Sequence, residues 1–114
     1  MIADDAKFMR MKMREDLRQT GFFDIVEAGN GEEAVFLFSE TQPDLVLLDV
    51  IMPVKDGLTA LKEIRENNPD ARVVMCSTMD QENVIKAVQL GALDFIIKPF
   101  KQERLAQAVR NVLE

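Results

Sequence analysis

The stretch Asp44-Leu45-Val46-Leu47-Leu48-Asp49 decides the fold, because it is an uninterrupted apolar run that ends on a carboxylate. Runs of about four to eight apolar residues bounded by turn signals are strands buried on both faces, the mark of a parallel sheet covered by helices. The opening Met1-Ile2-Ala3 repeats the pattern and ends on Asp4-Asp5. Ligands of open α/β sheets sit beyond the carboxyl ends of the strands, so these two strands bring three acids to one rim. Two further runs follow the same rule with different chemistry. Val73-Val74-Met75-Cys76 leads into Ser77-Thr78, and Phe95-Ile96-Ile97 leads into Lys98-Pro99. In a parallel sheet a hydroxyl and an ammonium then join the three carboxylates, which is the charge pattern of a magnesium-dependent phosphate site.

Between these runs the apolar period changes to that of helices. Phe8, Met9, Met13 and Leu17 stand at near-helical spacing and stop at Gly21, a natural residue beyond a helix end. Residues 24–28 alternate loosely before Gly29-Asn30-Gly31 and are expected as a strand near the sheet edge. Residues 32–39 form a second helix ending before Pro43, with Ala34, Val35, Leu37 and Phe38 on one face and Phe36 turned away toward solvent. Strands at 45–49, 72–77 and 94–97 alternate with helices at about 58–66, 81–90 and 102–113. The expectation is one α/β domain over residues 1–114, a doubly wound five-stranded parallel sheet with five helices and right-handed crossovers. Its first strand is expected to be short, leaving backbone groups of its neighbours unpaired.

Composition narrows the chemistry. With 14 Lys and Arg against 20 Asp and Glu, the net charge of −6 opposes a nonspecific hold on nucleic-acid phosphates. No apolar stretch approaches the roughly 20 residues of a membrane span, and no basic-then-apolar leader opens the chain, so no membrane partner and a cytoplasmic location are expected. The single Cys76 falls inside a buried run and fits a reducing compartment. Histidine is absent, which leaves carboxylates, a hydroxyl, lysine or a hard cation to carry any catalysis.

Taken together, Asp4-Asp5, Asp49, the loop with Met52-Pro53 and Asp56-Gly57, Ser77-Thr78 and Lys98-Pro99-Phe100 stand in the order and spacing of a known family. The chain resembles the receiver domains of two-component response regulators over essentially its whole length. Asp5-Ala6-Lys7-Phe8-Met9-Arg10 and Gly91-Ala92-Leu93-Asp94-Phe95-Ile96-Ile97-Lys98-Pro99-Phe100 are most similar to the chemotaxis type that carries no effector domain. The resemblance implies the flavodoxin-like strand order 2-1-3-4-5, which the apolar pattern alone does not supply. It also implies that Asp49 accepts a phosphoryl group from a phosphohistidine on a sensor histidine kinase. Asp5, Asp49 and the backbone carbonyl of Ile51 would hold Mg²⁺ directly, with Asp4 acting through water. Lys98 and Ser77 would hold phosphoryl oxygens, and Ser77 with Phe95 would form the switch. The module would catalyse its own phosphorylation and dephosphorylation without acting on a metabolite. Its partners would be the kinase, a downstream protein such as the flagellar motor switch, and a phosphatase.

Each piece also has a plainer reading. An acid before a helix is commonly an N-cap, an Asp after a strand a turn former, and Lys98 or Ser77 by itself a surface group. Phe95 on a strand is commonly core, and the Met9, Met11, Met13 stripe is packing and surface filler. Three carboxylates within about 4–6 Å would repel by several kcal/mol per pair, so either one is protonated or a divalent cation neutralises them. Phe95 stands where many members of the family carry Tyr, so a rotamer switch would lack the hydroxyl that anchors its outward state. Other functions compete. A haloacid-dehalogenase-type phosphatase wants a second Asp two residues after the first, where Ile51 stands. A flavin-binding module wants a Ser/Thr/Gly-rich loop in place of Ala6-Lys7-Phe8-Met9. A receiver belonging to a larger transcriptional regulator is a further alternative, whose fourth helix, fifth strand and fifth helix would serve dimerisation.

Overall fold

Each apolar run becomes a parallel strand in the computed structural model, which describes residues 1–78 and 80–114. Among the described residues the strands are β1 (Ile2–Ala3), β2 (Glu27–Ala28), β3 (Val46–Leu48), β4 (Val73–Ser77) and β5 (Asp94–Ile97), and their order is β2-β1-β3-β4-β5. The helices are α1 (Lys7–Gln19), α2 (Gly31–Thr41), α3 (Gly57–Asn67), α4 (Gln81–Gln89) and α5 (Gln102–Leu113). The expected architecture and strand order are both present.

Alternation along the strands divides the apolar side chains between two cores. Val46, Leu48, Val73 and Met75 face one side, where they pack with Phe38, Leu61, Ile64 and Ala87 from α2, α3 and α4. Leu47, Val74, Cys76 and Ile96 face the other, against Met13 and Leu17 of α1 and Leu105 and Val109 of α5. A continuous apolar run is what a strand covered on both faces requires. Phe36 is 60% exposed, as its place on α2 implies. Within the methionine stripe, Met13 is core and Met11 is exposed.

The register then sets where the strand ends lie. Ala3 pairs with Ala28 and Leu48, Leu48 with Met75, and Ser77 with Ile97. Residues just beyond these pairs, Asp4-Asp5, Asp49, Thr78 and Lys98, therefore emerge at one edge. β1 is as short as expected, but its neighbours are not left unpaired beside it. Ile2 N donates to Val26 O (2.8 Å), Asp4 N to Ala28 O (3.1 Å), Leu47 N to Met1 O (2.8 Å) and Asp49 N to Ala3 O (2.9 Å). Ladder bonds thus run from Met1 to Asp4, past the two residues with full strand geometry. The second strand is shorter than the expected 24–28, because an edge strand can extend only as far as β1 offers partners.

Local signals close the helices. Asn30 caps α2 by accepting from Glu33 N (2.8 Å), and Asp56 caps α3 by accepting from Thr59 N (2.8 Å). Gln42, in the left-handed region at φ 44°, ends α2 just before Pro43. In the β3–α3 loop Val54 also has a left-handed φ of 70°, a conformation that costs a β-branched residue about 1–2 kcal/mol.

Gly57 fixes how that loop folds back. Its N–H donates to Val50 O (2.7 Å), and a Cβ placed on it would lie 1.7 Å from Asp49 O. No side chain fits there, so the absence of one lets the start of α3 brace the end of β3. Gly57→Ala is expected to destabilise the fold by about 2 kcal/mol or more, read as a lower urea midpoint. An unchanged midpoint would show that the loop yields at little cost.

Candidate functional site

Of the residues that the sequence pointed to, the rim gathers Asp4, Asp5, Asp49, Ser77 and Lys98. Asp4, Asp5 and Asp49 each present a carboxylate oxygen within 4.8 Å of the others. Lys98, one residue past β5, reaches back across the edge: its Nζ donates to Asp4 Oδ2 at 2.6 Å and to Asp49 Oδ2 at 3.2 Å. Asp4 is 1% exposed and Asp49 7%, and Ser77 beside them is also buried. Three carboxylates against one ammonium leave a formal charge of −2 at the edge of a buried sheet. Lys98 is a partly buried cation held by two acids, which excludes the surface-lysine reading.

The two acids of the pair have different surroundings. Asp4 has both carboxylate oxygens engaged, Oδ1 by Ala6 N (2.9 Å) and Oδ2 by Lys98. Asp5 is exposed and accepts no hydrogen bond among the described residues. Neither acid is the N-cap of α1, a position held by Ala6 without a side-chain cap bond. Asp49 likewise is no simple turn former, since its carboxylate is turned to Lys98.

Burial pushes the Asp49 carboxyl above the ordinary carboxylate range. Lys98 holds back part of that rise, Asp4 adds to it, and the Ser77 hydroxyl favours the ionised form. Burial also works against the Lys98 ammonium, but its bond to Asp4 and the charge of Asp49 outweigh that and raise its pKa. Cys76 faces the opposite core, and burial pushes its thiol up to about 12, so it stays neutral and unreactive.

Ile51 and Phe95 stand apart from this cluster. Ile51 lies in the loop two residues past Asp49 with its side chain 68% exposed, and among the described residues its carbonyl accepts no hydrogen bond. Phe95 pairs with Met75 and lies on the same sheet face as Ser77, two residues further along β4. Half-buried, it packs against the core under α2–α4 and lines a groove between β5 and α5. The contact of Arg10 with the main chain of Asp4, Nη1 to O at 2.7 Å, was not singled out from sequence. An Arg at the end of the first turn of a helix that follows an acid pair is the available signal, but it is common on any solvated helix.

The sequence and the fold are shared with known proteins. A family model for the response regulator receiver domain matches residues 1–110. Chemotaxis protein CheY of Bacillus subtilis is 48% identical over 114 residues, covering 99% of this chain and 95% of that protein. CheY of Thermotoga maritima is 42% identical over 113 residues, covering 98% and 94%. In a solved CheX–CheY–BeF₃–Mg²⁺ complex from Borrelia burgdorferi, the similar chain superimposes with a TM-score of 0.94 at 35% identity, over 99% of this chain and 87% of that one. The chain belongs to the response regulator receiver domain family. It is a two-component signalling module, and several of its relatives of near-equal length are chemotaxis proteins.

Similarity over nearly the whole length of CheY favours the chemotaxis type over a receiver of a larger transcriptional regulator. The probable C4-dicarboxylate response regulator DctR of Bacillus subtilis is 51% identical over 85 residues that make up 38% of its length. No helix among the described residues is long and apolar enough to cross a membrane.

The raised Asp49 pKa has a consequence for the metal-free protein. A carboxyl that binds its proton more tightly when folded adds stability below its unfolded value, near 3.8, and loses it as pH rises through the folded value. Ionised Asp49 therefore costs stability at neutral pH. With metal chelated, Asp49→Asn is expected to unfold at a higher urea concentration than wild type at neutral pH, the gap narrowing as pH falls toward about 4. A less stable variant at neutral pH would mean that the Lys98 contact outweighs burial.

Proposed function

We propose that Asp49 is the phosphoacceptor of this module and that Mg²⁺ and a phosphoryl group are its ligands. The observation that carries this reading is the set of contacts around Lys98, whose ammonium lies between Asp4 and Asp49 while Asp5 has no hydrogen-bond partner among the described residues. The donors are all carboxylate oxygens, the preference of a hard cation, and the formal charge of −2 is what one divalent ion cancels. Asp5 and Asp49 would ligate the ion directly, with the Ile51 carbonyl as a third protein contact. Asp4, whose oxygens are already engaged, would act through a water. When bound, the ion neutralises charge on phosphoryl oxygens.

The remaining work falls to the chain itself. An Asp49 carboxylate oxygen attacks the phosphorus of a phosphohistidine on a sensor histidine kinase, the P–N bond breaks, and the imidazole nitrogen keeps the electron pair. Lys98 is already 3.2 Å from Asp49 and receives one developing phosphoryl charge, while Ser77 donates its hydroxyl to another oxygen. With its carboxylate desolvated and this ammonium in place, the module catalyses its own phosphorylation; in its own dephosphorylation a water attacks the same phosphorus, the P–O bond to Asp49 breaks, and the carboxylate leaves with the electron pair as inorganic phosphate is released. The Borrelia relative was solved with Mg²⁺ and BeF₃, a mimic of a phosphoryl group, together with CheX. That precedent supports the same ligand chemistry here. The similarity to chemotaxis proteins supports a cytoplasmic role between a kinase and a downstream protein such as the flagellar motor switch, with a phosphatase to reset it.

Acetyl phosphate with Mg²⁺ should add one phosphoryl mass to the wild type and none to Asp49→Asn, and Asp5→Ala should weaken Mg²⁺ binding more than Asp4→Ala. Full labelling of Asp49→Asn moves the acceptor elsewhere, and equal effects of the two alanine variants remove the ordering of the acids.

The output would run through Ser77 to Phe95. Once a phosphoryl oxygen draws the Ser77 hydroxyl toward Asp49, space opens on the sheet face that Ser77 and Phe95 share. An aromatic ring without a hydroxyl has little reason to stay in water, so its inward state is partly populated before phosphorylation. Inward movement reshapes the groove of about 750 Å³ that Phe95 lines with Ile97, Phe100, Lys101, Arg104 and Arg110. Phe95→Ala should keep Asp49 labelling and lose most of the phosphorylation-dependent gain in partner binding, measured by calorimetry with and without BeF₃⁻. Retention of the full gain would make Phe95 plain core.

A further inference from the structure

We infer that Arg10 is a positioning residue for the acidic site, holding the main chain of Asp4 so that Asp4 and Asp5 face Asp49; the inference rests on the metal-binding reading above. Asp4 N is still part of the ladder, donating to Ala28 O at 3.1 Å. Beyond Ala28 the chain turns into Gly29-Asn30-Gly31 and α2, and β2 supplies no donor to the Asp4 carbonyl among the described residues. Arg10 fills that place from the end of the first turn of α1, with Nη1 at 2.7 Å from Asp4 O.

The bond closes a ring. Arg10 N donates to Ala6 O (3.0 Å), and Ala6 N donates to Asp4 Oδ1 (2.9 Å). The turn carrying both acids is therefore fixed at its carbonyl, at its side chain and at the start of the helix. The guanidinium is itself held in place, because its Nε donates to Glu27 Oε1 at 3.0 Å. Arg14 takes the other oxygen of Glu27 through its Nε at 2.8 Å and reaches Ile25 O at 3.2 Å. A Cβ on Gly29 would lie 3.7 Å from Arg10 Nη1, so the fork packs against bare backbone with no competing side chain.

Electrostatics and positioning predict opposite signs. Two guanidiniums against one carboxylate leave a positive charge near the acids, so deleting an arginine strengthens cation binding through charge alone. Loss of positioning weakens it, and partners that orient metal ligands are typically worth about 10–100-fold in affinity. Arg14 is the internal control, since it shares Glu27 but touches Ile25 instead of Asp4.

The test uses Mg²⁺ alone, titrated calorimetrically into the full chain, with the Ala6 amide followed by NMR hydrogen exchange in the metal-free protein. Arg10→Met should bind Mg²⁺ about tenfold more weakly and lose protection at Ala6. Arg14→Met should bind as tightly as wild type or slightly more tightly, with Ala6 protected, even where the two variants lose similar thermal stability. Arg10→Lys keeps the charge but not the planar fork and should recover affinity only in part. Should Arg10→Met not fold, Glu27→Gln, which loosens the fork without removing it, should still lower Ala6 protection. Unchanged or tighter Mg²⁺ binding by Arg10→Met, or equal weakening by Arg14→Met, overturns the inference. If the wild type itself binds no Mg²⁺, the metal-binding reading fails, and the Ala6 amide alone decides whether Arg10 fixes the turn.

Discussion

The arrangement depends on one ammonium group. Lys98 bonds to Asp4 and Asp49 across 94 and 49 residues of chain, and without it three carboxylates would face one another at the edge of a buried sheet. At an effective dielectric near 20, two such charges about 4 Å apart repel by about 4 kcal/mol, a large share of the stability of a small domain. Lys98 relieves much of that at Asp49, whose pKa is nevertheless raised, by burial first and by the charge of Asp4 to a smaller extent. The residual formal charge of −2 is what the proposed divalent cation would cancel, and the ammonium that moderates it also stands where phosphoryl oxygens would arrive.

Holding such a group of charges demands a rigid frame. Parallel ladder bonds on both sides of β1 fix the height of Asp4, and Asp49 N is bonded to Ala3 O in the same ladder. The loop after Asp49 is braced by Gly57, whose missing side chain allows contact with the Asp49 carbonyl, and by Gly31, whose N–H meets Lys55 O at 3.0 Å. Val54 is held in a left-handed conformation within that loop. Backbone strain and buried charge thus sit together at the site, where binding free energy can compensate for them.

The same sheet gives the site a route to the surface. Ser77 and Phe95 lie on one face of β4 and β5, two residues apart in register, so a change at the buried hydroxyl has a short packed path to the groove beside α5. A bidentate pair between Arg104 and Asp94, with N···O distances of 2.9 and 3.1 Å, ties α5 to the start of β5 next to Phe95. The groove is therefore braced at the start of the strand that carries Phe95. Any shift a phosphoryl group drives is limited by its differential affinity for the two states.

The sequence by itself determined the alternation of strands and helices, the burial of the strands on both faces and the meeting of three acids, a hydroxyl and a lysine at one edge. It could do so because burial free energy is written locally, in the length and period of apolar runs such as 45–48 and 73–76. The strand order was legible only through the family resemblance, since a parallel pattern does not say which strands are neighbours. What tertiary structure decided are the pairings between distant residues. Asp4 and Asp5 are the same residue type at adjacent positions, and nothing local says that Asp4 engages both oxygens, with Ala6 and Lys98, while Asp5 has no partner among the described residues. Likewise the ladder bonds that flank so short a β1, the half-buried setting of Phe95 and the grip of Arg10 on the Asp4 carbonyl depend on where β2, β3, α1 and α5 come to rest. A hydrogen bond is decided over less than an ångström, and only the packed whole fixes distances that finely.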